Sequence, residues 1–420
     1  MATISETKNK MIVVPKLRFG SFNAVWEKKA LEDVFSRILD KNKEDNKNVL
    51  TISAQRGLIK QDTFFNKVVS SENVSGYYLL TKGDFAYNKS YSNGYPFGAI
   101  KRLTRFEKGI VSPLYICFRL KNSENSSEYF EQFFNSGKIN REINKIAQEG
   151  ARNHGLLNLS VSEFFSDIKF YVPTLSEQKH IASFLTSVDE WLEKNRKEKD
   201  LLCRYKAGTV QNIFSQKVRF RDGNGKLFPD WKEVKLKDVL KEHKTRNTEN
   251  THSEVFSVAK TKGVINQIEH LGRSFSAESL TNYKVIFPGD VIYTKSPTAD
   301  FPFGIIKQNQ TERTGVVSTL YAVFTPKNAY LGKMLHEYFI SWINTYNYLI
   351  PLVQKGAKNT INIGNSDFLN GAKISLPISE IEQKMIVDYL ISIDKLIDAK
   401  TQEVDLIVKW RKGLLQKLFI

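Results

Sequence analysis

The chain is poor in cysteine, has no long apolar run and carries none of the common catalytic signatures. Its 420 residues include two cysteines, Cys117 and Cys203, far apart. That excludes a disulfide scaffold and a cysteine-rich zinc site, and it fits a reducing, cytoplasmic setting. No stretch reaches the roughly 18 apolar residues of a membrane span, so no membrane segment is expected. The opening stretch lacks an apolar signal core and reads as a disordered lead-in over residues 1–14. There is no G-x-x-x-x-G-K-[ST] phosphate loop, no nucleophile elbow, no H-E-x-x-H and no kinase motif set. The six histidines are scattered, and the one in a repeated loop, His154, faces Thr360 in the other copy. No catalytic residue and no metal ligand is assigned.

Acidic residues are also in deficit. Against 62 Lys and Arg stand 45 Asp and Glu, giving a formal charge of +17 and a pI near 9.5. A polyanion is the natural partner, either nucleic acid or an acidic membrane face. A merely solvated basic surface is the plainer alternative. The apolar fraction of 41% is that of a globular protein, and the length suggests two to three domains.

What the chain does have is a duplication. Residues 83–122 and 289–328 align without a gap, Gly289 standing 206 positions after Gly83, with close to half the positions identical. A period near half the chain is too long for a solenoid and fits a repeated domain. The repeat runs further. Arg18-Phe19 before Trp26 returns as Arg219-Phe220 before Trp231, and residues 26–34 match 231–239. Gly57 and Gln61 face Gly263 and Gln267, and residues 149–164 match 355–368. Two similar modules make a pseudo-two-fold object, which suits duplex DNA.

Each copy ends in a long helical pattern, 176–214 and 380–419, shifted by 205 positions. Pro173 and Pro377 stand just before them, where proline precedes a helix without breaking it. Apolar residues recur every three or four positions, as Leu185, Leu192, Leu201 and Tyr205 in the first and Leu390, Ile397, Ile407 and Trp410 in the second. That spacing predicts coiled-coil or subunit-interface helices. Before the helices, β-branched and aromatic runs alternate with turns such as Lys82-Gly83-Asp84, and 127–147 and 332–353 read as single helices. The predicted fold is mixed α/β (α+β): modules at 15–170 and 218–375, with helical spacers at 171–217 and 376–420.

Two segments imitate chemistry. Gly94-Tyr95-Pro96-Phe97 and Asp300-Phe301-Pro302-Phe303 approach the Asn/Asp-Pro-Pro-Tyr/Phe loop that holds a flipped adenine. Both lack the first proline and no Gly-rich cofactor loop precedes them, so they read as aromatic-proline turns. Asp230 and Glu233 lie too close together for a metal-dependent nuclease core.

The residues left for recognition are basic and polar ones among aromatics in repeated loops. In the first copy these are Gln55, Arg56 and Lys60, then Lys89, Ser90, Tyr91 and Asn93, then Arg102, and finally Arg152 and Asn153. In the second they are Lys260 and Lys262, Lys295, Ser296 and Thr298, and Lys358 and Asn359. Lys and Arg neutralise phosphates; Arg, Asn and Gln also pair with base edges. Any one of them taken alone is as readily an ordinary solvated side chain. Gly83, Gly98, Gly289 and Gly304 read as turn glycines.

The order of these motifs, given twice, resembles the specificity subunit of type I restriction–modification systems over essentially the whole length. The resemblance rests on the Arg-Phe and Trp pairs, the Gly-Asp-x-x-Tyr-x-Lys-Ser strands, and the helix openings Glu177-Gln178-Lys179 and Glu382-Gln383-Lys384. It implies two target recognition domains joined by two long antiparallel coiled-coil helices, each domain reading one half of a split double-stranded DNA site. It implies no chemistry in this chain. Two modification (methyltransferase) subunits would carry S-adenosylmethionine, and restriction subunits would use ATP and Mg. A helix of about 40 residues spans roughly 60 Å, enough to separate half-sites by unread base pairs. A free-standing repressor or architectural DNA-binding protein is the alternative, and a methyltransferase or nuclease in its own right is the third.

Overall fold

The structure, a computed structural model, describes residues 5–7, 10–65, 73–92, 94–147, 157–273, 279–298, 300–355 and 361–420. The chain forms two compact units, one of Met1–Lys197 with Thr401–Ile420 and the other of Glu198–Lys400.

In the first unit the strands are β1 (Glu27–Ala30), β2 (Phe35–Arg37), β3 (Leu50–Ser53), β4 (Gly57–Lys60), β5 (Tyr78–Thr81), β6 (Phe85–Asn88), β7 (Ala99–Arg102), β8 (Lys108–Val111), β9 (Ile116–Leu120) and β10 (Lys169–Val172). The second unit repeats them as β11 (Lys232–Val234), β12 (Leu240–Glu242), β13 (Phe256–Ala259), β14 (Gly263–Asn266), β15 (Lys284–Ile286), β16 (Val291–Thr294), β17 (Ile305–Gln308), β18 (Gly315–Val317), β19 (Ala322–Pro326) and β20 (Ile374–Leu376). The main helices are α1 (Ser127–Asn135), α2 (Val161–Ser166), α3 (Leu175–Phe214), α4 (Ala329–Ile340), α5 (Asn365–Asn370) and α6 (Glu380–Leu418).

The topologies match strand for strand. A four-stranded sheet has the order β2-β9-β6-β7 in the first unit and β12-β19-β16-β17 in the second. Hairpins β3-β4 and β13-β14 and the pairs β5-β8, β15-β18, β1-β10 and β11-β20 complete each module, all antiparallel. Alternation along the strands decides which side chains enter which core. Phe85, Tyr87, Ile116 and Phe118 face a cluster shared with α1–α3, while Ala86 and Cys117 between them join a second cluster under the β3-β4 hairpin.

Three polar devices recur in both units, and they account for the repeated motifs. The first is a buried carboxylate. Arg18 grips Glu177 through two hydrogen bonds of 2.8 and 2.7 Å, and Trp26 Nε1 donates to the same carboxylate at 3.3 Å. Arg219 and Trp231 do the same to Glu382, at 3.0, 3.4 and 3.1 Å. A buried carboxylate needs a fixed cation and further donors. The second device is the neighbouring glutamine. Gln178 Oε1 accepts from Ser126 N, and Gln383 Oε1 from Asn328 Nδ2, fastening the N-cap residues of α1 and α4 to the long helices.

The third device is a tyrosine with its glycine. Tyr87 donates to Phe97 O and Tyr293 to Phe303 O, both at 2.7 Å, and each ring stacks on a phenylalanine, Phe164 or Phe368. Gly98 and Gly304 follow, at φ +77° and +103°; a Cβ there would lie 2.2 and 2.0 Å from a carbonyl oxygen of the adjacent strand. The two imitation methyltransferase loops are therefore structural turns.

Four expectations change. The helix expected over 127–147 is two, Ser127–Asn135 and Asn140–Ile146, because Gly137 between them adopts φ +72°. The helix expected over 332–353 breaks at Ser341, whose side chain caps a new helix Trp342–Leu349. The lead-in expected to be disordered contains a short hairpin, Ser5–Thr7 paired with Lys10–Ile12. The coiled-coil register also differs. Leu185, Leu192, Leu390 and Ile407 are buried and Ile397 half-buried, but Leu201, Tyr205 and Trp410 are exposed. The inner stripe runs through Ile181, Leu185, Val188, Leu192, Asn195, Lys199, Leu202 and Lys206, a four-three spacing that passes one position to the side of Leu201 and Tyr205.

Within each unit the helix halves pack antiparallel. In the first, Ile181–Leu192 of α3 share a core with Val404–Leu418 of α6; in the second, Ile386–Ile397 of α6 pack with Val210–Phe214 of α3. Each pair is tied to its module by charge. Arg411 pairs with Asp189, which also accepts from Gln132 of α1. At the corresponding place Lys206 pairs with Asp394 at 2.6 Å and Glu337 of α4 at 2.9 Å.

Candidate nucleic-acid interface

Two loops in each module gather the exposed candidates. The first is the β3-β4 turn, where Gln55, Arg56 and Lys60 are exposed and Gly57 (φ +79°) makes the tight reversal. The Arg56 guanidinium lies 5.8 Å from the Phe64 ring, which holds it at the surface without neutralising it. The second is the loop after β6, where Lys89 and Ser90 are half-buried and Tyr91 is exposed. Its Tyr95 packs on the cluster to which the hairpin contributes Ala54 and Leu58, so both loops lie on one side of the sheet.

The second unit repeats the arrangement with different side chains. Lys260 and Lys262 are exposed on the β13-β14 turn, and Ser296 and Thr298 on the loop after β16. An ion pair between Lys260 and Asp300 joins the two loops directly. Lys262 Nζ lies 3.1 Å from His270 Nδ1. Lys295 is half-buried, and burial pulls its pKa below the usual lysine value, against Glu242 and Asp367. The Thr298 loop closes through Thr298 N to Phe301 O, at 3.0 Å. Asn93, Arg152, Asn153, Lys358 and Asn359 lie outside the described residues.

Arg102 departs from its expected role. It stands on β7 with Nε 2.8 Å from Glu131 and Nη1 2.6 Å from Glu128, and it also donates to Ser127. A guanidinium satisfied by two carboxylates of α1 fastens that helix to the sheet edge; the acids that claim it are 26 and 29 residues away in sequence, where a reading of local loops does not look.

A second surface lies on the long helices. In the first unit Trp191, Leu406 and Trp410 are exposed, with the Trp191 and Trp410 rings edge to face at 6.2 Å. The residues 205 positions away are Leu396, Leu201 and Tyr205, all exposed in the second unit, where Tyr205 and Tyr389 share a hydroxyl hydrogen bond of 2.6 Å. Large apolar groups left in water at equivalent places on both helix pairs mark a surface built for contact. Among the described residues no group of three or more His, Cys, Asp or Glu could hold a metal ion, and no helix is long and apolar enough to cross a membrane.

Known proteins agree with this architecture. Residues 23–201 match the family described as type I restriction modification DNA specificity domain. The specificity subunit of the type I restriction enzyme MjaVIII from Methanocaldococcus jannaschii is 25% identical over 338 residues, covering 74% of each chain. The crystal structure of a type I restriction-modification S subunit from M. genitalium superimposes with a TM-score of 0.52 at 15% identity, covering 97% of this chain and 99% of that one. A chain from a study of complex assembly and conformational transition in a type I R-M system gives 0.51 at 17% identity, covering 94% and 97%. The two structures share the fold.

Proposed function

We infer that this chain is a specificity subunit of a type I restriction–modification system, the sequence-reading DNA-binding subunit of such a complex. The observation that carries the reading is duplication with divergence. The buried devices are the same in both modules, whereas the exposed loops differ, with Gln55, Arg56 and Tyr91 in one and Lys260, Lys262 and Thr298 in the other. Conserved scaffolding under divergent loops suits two readers of two different half-sites. On this reading the site is bipartite and asymmetric, and the long helices set its spacing.

The chain supplies no chemistry of its own. The paired apolar faces of the helices suit two copies of a modification subunit, which would bind S-adenosylmethionine and methylate adenine; restriction subunits using ATP and Mg would join that assembly in the cytoplasm. A repressor or architectural protein acting alone has no use for Trp191, Trp410, Leu201 and Leu406 standing in water.

Reconstitution with modification subunits and methylation of a split-site library tests this. Replacing Lys89 and Tyr91 should alter reading of one half-site only, and replacing Lys295 and Thr298 the other only, with about 1–3 kcal/mol lost per base contact. Equal shifts in both half-sites after a change in one module would overturn the two-reader scheme, and methylation by the pure chain would overturn the subunit assignment.

A further inference from the structure

Each unit buries one lysine at the same place in its sheet. Lys101 on β7 and Lys307 on β17 are 8% and 4% exposed. In the first unit the burial is compensated: Lys101 Nζ donates to Asn135 Oδ1 at 2.7 Å. Asn135 stands nine residues beyond the N-cap Ser126, and the residue nine beyond the N-cap Asn328 in the second unit is Glu337. That carboxylate is already taken, by Lys206 at 2.9 Å and Lys333 at 2.8 Å. The same two lysines also share Asp394. The Lys307 ammonium is left without a hydrogen bond or ion pair among the described residues, and burial, with Lys206 and Lys333 alongside and only Glu337 opposing, pulls its pKa down to about 8.

Lys307 borders a cavity of about 1030 Å³ within the second unit, together with Lys206 and Lys333. The cavity beside Asn135 in the first unit holds about 270 Å³ and does not reach Lys101. Asp394 and Asp398 line the larger cavity too, but Lys206 and Lys333 are held by Glu337 and Asp394, so the ammonium facing the cavity without a partner among the described residues is Lys307, and it calls for an anion. His336, also on the wall, adds no charge: its Nδ1 accepts from Gln308 N at 3.0 Å, and burial among lysines keeps it neutral. Aromatic side chains line the same cavity, Tyr346 and Trp342, the latter 55% exposed. An ammonium without a partner and an exposed indole in one cavity fit a phosphate attached to a planar base.

We propose that this cavity is a nucleotide site, with the phosphate on Lys307 and the base against Trp342. The nucleotide is either free or a unit of bound DNA. The free form stands independently of the DNA-reading function; the DNA form rests on it.

The test uses the full chain and three probes, inorganic phosphate, AMP and a duplex of arbitrary sequence, titrated by calorimetry into the parent, Lys307→Met, Lys101→Met and Trp342→Ala proteins. Removing an unpaired buried charge should leave Lys307→Met folded. It should weaken AMP and phosphate about tenfold or more, while Lys101→Met changes neither. Trp342→Ala, an exposed change, should weaken AMP but not phosphate. If only the duplex binds, and Lys307→Met weakens it with Lys101→Met as the unaffected control, the phosphate is that of DNA. The site is refuted if Lys307→Met leaves all three probes as in the parent, or if Lys101→Met loses as much.

Discussion

The two units agree in their polar fastenings and differ in what fills them. In the first, the core between sheet and helices is crowded with phenylalanine: Phe35, Phe85, Phe118, Phe130, Phe133, Phe134, Phe164 and Phe170. In the second, the corresponding space holds Val291, Phe324, Met334, Leu335, Phe339 and Phe368. Apolar packing tolerates exchange of shape if volume is kept. A buried carboxylate tolerates none, because each lost donor leaves a charge without water or partner. The Arg-Trp-Glu triad has therefore stayed while the packing around it has drifted.

The largest break in that symmetry should come from the triad. Glu177→Ala should cost the first unit about 3–5 kcal/mol, the price of stranding a partly buried cation. Glu382→Ala should cost less, because Arg219 keeps two carbonyl acceptors, Phe228 O and Pro229 O, where Arg18 keeps one, Ala24 O, and its bonds to the carboxylate are longer. Denaturant unfolding of the two variants measures the difference, and equal losses would contradict it.

The buried lysines come next. Both fall from 10.5 to about 8 on folding: Lys101 through burial with Arg411 nearby and Glu131 opposing, Lys307 through burial with Lys206 and Lys333 nearby and Glu337 opposing. Between pH 8 and 10.5 the unfolded chain binds more protons at these sites than the folded one, so stability rises with pH across that window. Each site contributes roughly 3 kcal/mol to the rise. Lys101→Met and Lys307→Met should each flatten the stability-against-pH curve relative to the parent, which thermal melts across the window will register. An unchanged curve would mean that the ammonium groups reach water.

Smaller still is Gly98→Ala against Gly304→Ala. Both place a Cβ against a carbonyl oxygen in the left-handed region, and each should cost about 1–3 kcal/mol. Near-equal losses in urea unfolding would confirm that the turn is one device used twice. The smallest stability effect belongs to the exposed faces. Trp410→Ser and Tyr205→Ser should shift unfolding by less than about 0.5 kcal/mol and yet weaken capture of the modification subunit, as seen by co-purification.

Most of the fold was legible because repetition supplied an internal comparison. Turn glycines, strand runs and the limits of the long helices follow from residue type and spacing. The candidate site was legible only as loops. That Lys89 and Lys260 stand in loops is local information. That Arg102 is claimed by Glu128 and Glu131, or that Lys307 lacks what Asn135 gives Lys101, depends on contacts between distant segments. The coiled-coil register failed for a related reason. Leu201 and Tyr205 look like stripe residues until Asn195 and Lys206 are admitted to the inner face, and polar residues are not expected there. Glu177 shows the reverse case: its repeated order with Arg18 and Trp26 was visible, but nothing in the order says that one carboxylate collects both.

Residues 401–420 belong to the first unit, where Leu414, Leu418 and Phe419 fill its core and Leu17 N bonds to Lys417 O. On a ribosome the module that emerges first must therefore wait. At roughly 5–20 residues per second, the stretch from residue 198 to 401 takes about 10–40 s to make. Throughout that interval the second unit's strands are being made while Ile181, Leu185 and Val188 lack the partners from Val404 to Phe419 that share their core. A nonsense mutation at Thr401 would leave every residue of the second unit in place and cripple the first.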